Sequence, residues 1–185
     1  MLICMIKKRH LPNFLTLSRI IAVPLLVGAF YMRGDLHYWL AAGLFAYASA
    51  TDFLDGYLAR AWDAKSNVGR FLDPIADKLL VAAALVLLVE QHRAHIIPTL
   101  LILSREILVS GLREFLMELR VPMPVSTLAK YKTALQMLAI FLLLLGRGAP
   151  HWLPANEVGA YLLWVAALLT VVTGYAYLRT GLKHM

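Results

Sequence analysis

Six apolar runs dominate the sequence, and each is about long enough to cross a lipid bilayer as a helix. A bilayer core about 30 Å thick needs roughly 20 predominantly apolar residues in helical conformation. The 185-residue chain is 61% apolar, well above the share in a soluble domain. We therefore predict an all-α polytopic membrane protein with a single domain, residues 1–185. Its six transmembrane helices are expected near residues 12–32, 37–60, 68–90, 95–117, 127–146 and 157–178.

Basic residues are distributed unevenly between the two sides of this predicted topology. The N-terminal side has fourteen of the 18 Lys and Arg residues, whereas the opposite side has three. Because positively charged loops stay in the cytoplasm, both termini are predicted to be cytoplasmic. The net charge of +7 is explained by basic residues that set the topology or bind phosphorylated ligands. No nucleic-acid partner is therefore expected. Residues 1–11 could form an interfacial amphipathic arm or simply help to set the topology.

Four aspartates lie in two pairs at the edges of the second and third apolar runs. Asp52 and Asp55 are three residues apart, and Asp73 and Asp77 are four apart, so each pair occupies one helix face. An ionised carboxylate within a membrane costs about 2.5–3.5 kcal/mol. Two divalent cations, Mg²⁺ or Mn²⁺, would neutralise all four charges through the oxygen ligands that they prefer. Alternatively, these are solvated helix-end charges, with Asp73 as an N-cap before Pro74.

A polar face also begins the first apolar run. Asn13, Thr16 and Arg19 recur every three residues and therefore share one face of a helix. We expect this helix to begin near Pro12, since proline suits the first helical position. The polar face would look towards the aspartates, where Arg19 could bind a phosphate. Alternatively, Arg19 only extends its charged end to the membrane surface.

A second group of charges occupies the fourth and fifth apolar runs. Arg105 and Arg113 share one helix face, and an arginine well inside a span must meet an anion. Glu106 could be that anion, because buried charges are normally paired. A cationic pocket that suits a phosphorylated ligand is predicted from Arg105, Arg113, Lys130, Lys132, Thr133 and Gln136. The last run shows no motif, and its Tyr175 and Tyr177 suit the aromatic belt of a membrane protein.

The stretch from Asp52 to Asp77 reads Asp-x2-Asp-Gly-x2-Ala-Arg-x8-Gly-x3-Asp-x3-Asp. It resembles the signature of the CDP-alcohol phosphatidyltransferases at every fixed position. The polar motifs of the first, fourth and fifth runs are similar to those of members that transfer a phosphatidyl group from CDP-diacylglycerol to sn-glycerol 3-phosphate. One departure is Ala129, where we expect glycine. The resemblance implies an enzyme with this activity in a bacterial cytoplasmic (inner) membrane, acting as a homodimer, with its active site facing the cytoplasm.

The resemblance also implies roles for individual residues. Asp52 and Asp73 would each bind both of two divalent cations, Asp55 would bind the first, and Asp77 the second. Asp77 would also accept the proton of the attacking alcohol. The CDP-lipid would be bound by Asn13, Thr16, Arg19, Gly56, Ala59, Arg60, Ser66 and Gly69. The cationic pocket of the fourth and fifth runs would bind glycerol 3-phosphate.

Other interpretations of the same residues stay open. Within the family, the acceptor could be inositol phosphate, phosphatidylglycerol, serine or choline, although the cationic pocket favours a phosphorylated acceptor. Outside the family, the aspartates could form the pathway of a divalent-cation transporter, but no acidic opening on the other side matches them. A purely structural role in the membrane would not account for the charged residues.

Overall fold

The computed structural model describes residues 2–62, 67–119 and 127–182. Regular structure in these residues consists of six α-helices and one 3₁₀ turn, Gly146–Gly148. The helices are α1 (Leu2–Phe30), α2 (Leu36–Trp62), α3 (Asn67–Glu90), α4 (Ile96–Glu118), α5 (Thr127–Leu145) and α6 (Ala155–Leu182). The predicted all-α class is confirmed, and each apolar run lies on a helix of its own.

α1 begins earlier than the sequence predicts, and α3 begins before the aspartate proposed as its N-cap. α1 is continuous from Leu2, so the predicted start near Pro12 is wrong. The residues before this proline are mostly Leu, Ile, Met, Lys and Arg, whose helix propensity is good to moderate. α3 begins at Asn67 and includes Pro74 in its interior. Because Asp73 is therefore an interior residue of α3, the explanation of this aspartate as an N-cap is wrong.

The chain divides into two compact units, Met1–Leu87 and Leu88–Met185. In the first unit, α1 packs against α2. The buried alanines of these two helices are Ala22, Ala29, Ala41, Ala42 and Ala48. Small side chains let helix backbones approach closely. This close contact positions Arg19 of α1 against the C-terminal half of α2.

In the second unit, α6 packs against both α4 and α5. Gly159 of α6 shows how close the contact with α5 is, because an added Cβ would lie 2.8 Å from Cγ of Leu143. The buried apolar side chains of this unit include Ile102, Val109, Leu116, Ala139, Ile140, Leu144, Leu163, Ala166 and Ala167. α6 is therefore the helix that packs against both charged helices of this unit.

The turn after α3 contains an arginine that binds the end of α5. Arg93 donates from Nη2 to the carbonyl oxygens of Leu143 and Leu144, the latter at 3.1 Å. These carbonyls belong to the last turn of α5, where no intrahelical donor is available. A Cβ on Gly146 would overlap the guanidinium, and the φ of +43° at this position also favours glycine. Arg93 thus stabilises the end of a helix as well as carrying charge in a loop.

Two stretches of the described chain are long and apolar enough to cross a membrane, Leu128–Gly148 and Ala155–Arg179. A shorter apolar stretch covers Thr16–Phe30. Large apolar side chains such as Leu25 and Leu168 are exposed on the helices, and extensive exposed apolar surface marks sites of membrane or protein contact. These features support a membrane protein, while the six-span topology and the side on which the termini lie stay predictions.

Candidate active site

The predicted metal ligands lie on two consecutive helices of the first unit. Asp52 and Asp55 are in the C-terminal half of α2, and Asp73 and Asp77 are in the N-terminal half of α3. The side chains of Asp52 and Asp77 are partly buried, whereas those of Asp55 and Asp73 lie outside the described residues. Among the side chains that are described, no three His, Cys, Asp or Glu form a metal site. The four-aspartate cluster therefore stays a prediction.

Arg19 of α1 forms an ion pair with the first of these aspartates. Its Nη1 donates to Oδ1 of Asp52, and the arginine is completely buried. The side chain of Asp52 is 44% exposed, so the carboxylate remains accessible to a ligand. Because its guanidinium is buried against Asp52, the alternative in which Arg19 extends to the membrane surface is wrong. The structure thus joins two residues that the family resemblance assigns to different ligands.

The chemistry of the aspartates suits hard divalent cations. Carboxylate oxygens are ligands that Mg²⁺ and Mn²⁺ accept readily, and each ionised carboxylate offers about four lone-pair sites on two oxygens. Arg19 donates to Oδ1 of Asp52, so Oδ2 can still bind a cation. The residues that would hold the cations are the predicted ones, Asp52, Asp55, Asp73 and Asp77.

The residues predicted to bind the CDP-lipid are distributed over α1, α2 and α3. Thr16 and Arg19 are both buried on α1, while Gly56 lies on α2 and Gly69 on α3. The side chains of Asn13, Ala59 and Arg60, and all of Ser66, lie outside the described residues. A contact between this group and a CDP-lipid stays a prediction.

In the second unit, one carboxylate on α4 interacts with two cations. Nζ of Lys132 donates to Oε1 of Glu106, and Nη1 of Arg105 lies 3.5 Å from the same oxygen. Lys132 is 1% exposed and makes the closer contact, so Glu106 is chiefly the counter-ion of this buried lysine. The predicted pairing of Arg105 with Glu106 is therefore confirmed as the weaker of the two contacts.

The other residues of the predicted cationic pocket differ in burial. Gln136 is buried and Arg113 is partly buried, whereas Lys130 and Thr133 are exposed. The hydroxyl of Thr133 donates to the backbone carbonyl one turn earlier in α5, at 3.0 Å. Nε of Arg113 and Oε1 of Gln136 are buried and have no hydrogen-bond partner in the part of the chain that is described. Buried polar atoms normally have partners, so these two atoms are suited to contact a polar ligand.

α6 contributes a contact that no sequence motif predicts. The ring of Tyr177 lies 5.7 Å from Cζ of Arg105, and this tyrosine is 7% exposed. Its predicted place in an aromatic belt is therefore wrong, whereas Tyr175 is exposed as a belt residue should be. The available signal was the spacing of small and polar residues along α6, which follows the helical period.

Comparison with known proteins identifies the chain over most of its length. The family model of the CDP-alcohol phosphatidyltransferases matches residues 9–172. This chain belongs to that family. A Rickettsia bellii relative is 49% identical over 95% of this chain and 97% of its own length. The predicted family is thus confirmed, and the chain is an enzyme of the transferase class.

More distant relatives from other bacteria match to a similar extent. Those from Haemophilus influenzae and Pseudomonas fluorescens are 44% and 41% identical, covering 94% and 95% of this chain. The matches extend over 94% and 92% of the relatives' own lengths. These two proteins and the Rickettsia bellii relative are each named CDP-diacylglycerol–glycerol-3-phosphate 3-phosphatidyltransferase.

Proposed function

We propose that this protein transfers the phosphatidyl group of CDP-diacylglycerol to sn-glycerol 3-phosphate, forming phosphatidylglycerophosphate and CMP. The main support is the arrangement of two sets of residues: Asp52, Asp55, Asp73 and Asp77 on α2 and α3, and Arg105, Arg113, Lys130 and Lys132 on α4 and α5. A metal-bound pyrophosphate requires carboxylates to hold the metals, as in the first set. A phosphorylated acceptor requires cations, as in the second set. The names of the relatives indicate the same two substrates for those proteins.

The reaction replaces one phosphorus–oxygen bond with another. A hydroxyl oxygen of glycerol 3-phosphate bonds to the phosphorus that bears diacylglycerol, and the bond from that phosphorus to the oxygen of CMP breaks. The hydroxyl proton passes to the carboxylate of Asp77, a general-base role that typically contributes about 10²–10⁴-fold. Two divalent cations, Mg²⁺ or Mn²⁺, held by the four aspartates would polarise the phosphorus and offset the charge on the departing CMP.

The cationic region would bind the phosphate of the acceptor. Glu106 chiefly neutralises Lys132, so most of the charge on Arg105 and Arg113 is available to a phosphate. Arginine presents a planar fork of N–H donors that matches phosphate geometry, and buried Oε1 of Gln136 can accept from a glycerol hydroxyl. Serine or choline would leave these arginine donors without an anion. This region therefore favours a phosphorylated acceptor, and among such acceptors the family resemblance and the names of the relatives favour glycerol 3-phosphate.

The first region would hold the CDP-lipid and the cations. The ion pair with Asp52 supports a positioning role for Arg19, since groups that bond to metal ligands orient those ligands. The predicted lipid contacts of Thr16, Gly56 and Gly69 belong to the same proposal. The acyl chains would stay in the bilayer while the cytidine and phosphates reach the aspartates.

The proposed membrane arrangement follows from the charge distribution and the apolar helices. All six helices would span the bacterial inner membrane, with both termini and the active site on the cytoplasmic side. The excess of basic residues on the N-terminal side supports this orientation. A homodimer is proposed from the family resemblance alone.

The test is CMP release by the purified protein in mixed micelles with CDP-diacylglycerol. Separate reactions would contain glycerol 3-phosphate, inositol phosphate, phosphatidylglycerol, serine, choline or no acceptor. We expect CMP and phosphatidylglycerophosphate only with glycerol 3-phosphate, and only with Mg²⁺ or Mn²⁺ present. Faster release with another acceptor would overturn the proposed acceptor. Mn²⁺ uptake into proteoliposomes without any CMP release would instead identify a transporter.

A further inference from the structure

α6 has a continuous buried face that is polar or small although the rest of the helix is apolar. Thr170, Thr173, Gly174 and Tyr177 are spaced by three, one and three residues, which places them on one side of a helix. Thr170 is completely buried, Thr173 is 4% exposed and Tyr177 is 7% exposed. We call these four residues the α6 polar face.

The α6 polar face contacts Arg105 at two points. Cζ of the arginine lies 5.7 Å from the centroid of the Tyr177 ring, within the range of a cation–π interaction. A Cβ added to Gly174 would lie 3.0 Å from Cγ of Arg105. The absence of a side chain at Gly174 therefore lets the stem of the arginine lie directly against α6, with its charged end at the tyrosine ring.

These contacts hold Arg105 without using its hydrogen-bond donors. An aromatic face attracts a guanidinium electrostatically and accepts none of its five N–H groups in a conventional hydrogen bond. The 3.5 Å contact from Nη1 to Glu106 is long. Nε of Arg105 is buried and has no partner within residues 2–62, 67–119 and 127–182. An arginine positioned in this way retains donors for an anionic ligand.

The α6 polar face itself contains a polar atom without a hydrogen-bond partner in the described chain. Oγ1 of Thr170 is buried and hydrogen bonds to nothing in the described chain. By contrast, the Thr173 hydroxyl donates to the carbonyls of Leu169 and Thr170, at 2.7 and 3.2 Å. Helical threonines ordinarily use this backbone contact, so the two threonines differ although they share one face.

We propose that the α6 polar face is part of the acceptor site, in which Tyr177 and Gly174 position Arg105 for the phosphate of glycerol 3-phosphate. Tyr177 is a positioning residue because it acts through Arg105. This inference rests on the proposed function and extends it to a helix without a charged motif. It predicts that changes on α6 alter the affinity for the acceptor and leave the affinity for the CDP-lipid unchanged.

The test compares Tyr177→Leu with Tyr177→Phe and with the matched control Tyr175→Leu. Tyr175 lies two residues away and is exposed, so its substitution removes a ring without touching Arg105. Tyr177→Leu should raise the KM for glycerol 3-phosphate about tenfold, the size that a partly desolvated cation–π contact allows. The KM for CDP-diacylglycerol should stay within about twofold. Tyr177→Phe keeps the ring and should behave like the wild type, as should Tyr175→Leu.

A double-mutant cycle tests whether the tyrosine acts through the arginine. In the Arg105→Ala background, Tyr177→Leu should change the KM for glycerol 3-phosphate by less than about twofold, because residues in contact are not additive. Equilibrium binding of radiolabelled glycerol 3-phosphate, without CDP-diacylglycerol, should show the same pattern. Full additivity in this cycle would overturn the positioning role.

Gly174→Ala provides an independent variant if Tyr177→Leu does not fold. Its added methyl group would press on Cγ of Arg105 and should raise the KM for glycerol 3-phosphate selectively. An unchanged KM in a folded Gly174→Ala protein, or equal losses for both substrates, would count against the inference. The proposed function would fail separately, because a wild-type protein that does not use glycerol 3-phosphate at all would refute it without any variant.

Discussion

Each unit of this protein contains a buried cation beside a carboxylate, but the two regions balance their charges differently. On α1 and α2, one completely buried arginine, Arg19, meets the half-exposed carboxylate of Asp52. On α4 and α5, the single carboxylate of Glu106 interacts with both Lys132 and Arg105. The first region therefore keeps carboxylate oxygens available to bind a ligand, and the second region keeps N–H donors available.

This difference shows how one apolar chain can prepare sites for oppositely charged ligands. In both regions the buried member of the closest pair is the cation, so loss of the carboxylate would remove an anion from a desolvated positive charge. Such a loss is strongly destabilising in a protein interior. The remaining groups, Oδ2 of Asp52 and the donors of Arg105 and Arg113, are then the ones available for function. The following predictions test this assignment, beginning with the largest effect.

Asp52→Asn should abolish turnover, because it removes a cation ligand and also an anion that pairs with Arg19. Stability should also fall by about 1–3 kcal/mol, less than for a fully buried pair since Asp52 is 44% exposed. CMP release at saturating Mg²⁺ and thermal unfolding would measure the two effects. Asp35→Asn, in the exposed turn before α2, is the matched control. Near-normal turnover of Asp52→Asn would contradict the assignment of cations to this region.

Asp77→Asn should lose at least about 10²-fold in turnover while CDP-diacylglycerol still binds, because the general base is removed. Asp55→Asn should instead show a defect that added Mg²⁺ or Mn²⁺ partly repairs, since weakened coordination responds to concentration. A metal titration of both variants, with lipid binding measured separately from turnover, distinguishes the roles. Equal rescue of the two variants would make Asp77 a ligand only.

Glu106→Gln should lower the free energy of unfolding by about 2–4 kcal/mol, because Lys132 would lose the carboxylate that compensates its burial. Chemical unfolding in detergent would measure this change. Glu114→Gln, at an exposed position of the same helix, should change stability by less than about 0.5 kcal/mol. If the two substitutions were equally mild, Glu106 would not be the counter-ion of a buried lysine.

Arg113→Ala should weaken glycerol 3-phosphate by about 1.5–3 kcal/mol, the value of a charge-assisted hydrogen bond. The effect on CDP-diacylglycerol should be much smaller, because that lipid is assigned to the first region. Separate KM values for the two substrates provide the measurement. An equal loss for both substrates would remove the distinction between the two regions.

Much of the fold could be predicted because the relevant information is local. Apolar runs separated by turn residues such as Gly34 and Pro154 indicate six helices, and the structure has a helix for each run. The start of α1 was less predictable, because Pro12 is tolerated within this helix once its neighbours are helical. The family was also recognisable, since its signature consists of fixed residues at fixed spacings.

The side-chain partners could not be predicted in the same way. Helical periodicity shows that Arg105 and Arg113 share a face, but it does not reveal which neighbouring helix that face meets. The pairs Arg19–Asp52, Lys132–Glu106 and Arg105–Tyr177 each connect residues far apart in the chain. They depend on how whole helices are rotated and packed against one another.

The helical class, the family signature and the kinds of charge on each helix therefore follow from the amino-acid sequence alone. Which charges neutralise one another, and which keep ligand-binding atoms available, depends on how the helices pack. This dependence arises because a charge inside a packed protein takes its role from all the groups that surround and desolvate it. For Arg105 these include Tyr177 and Gly174 on α6, a helix whose sequence contains no charged motif.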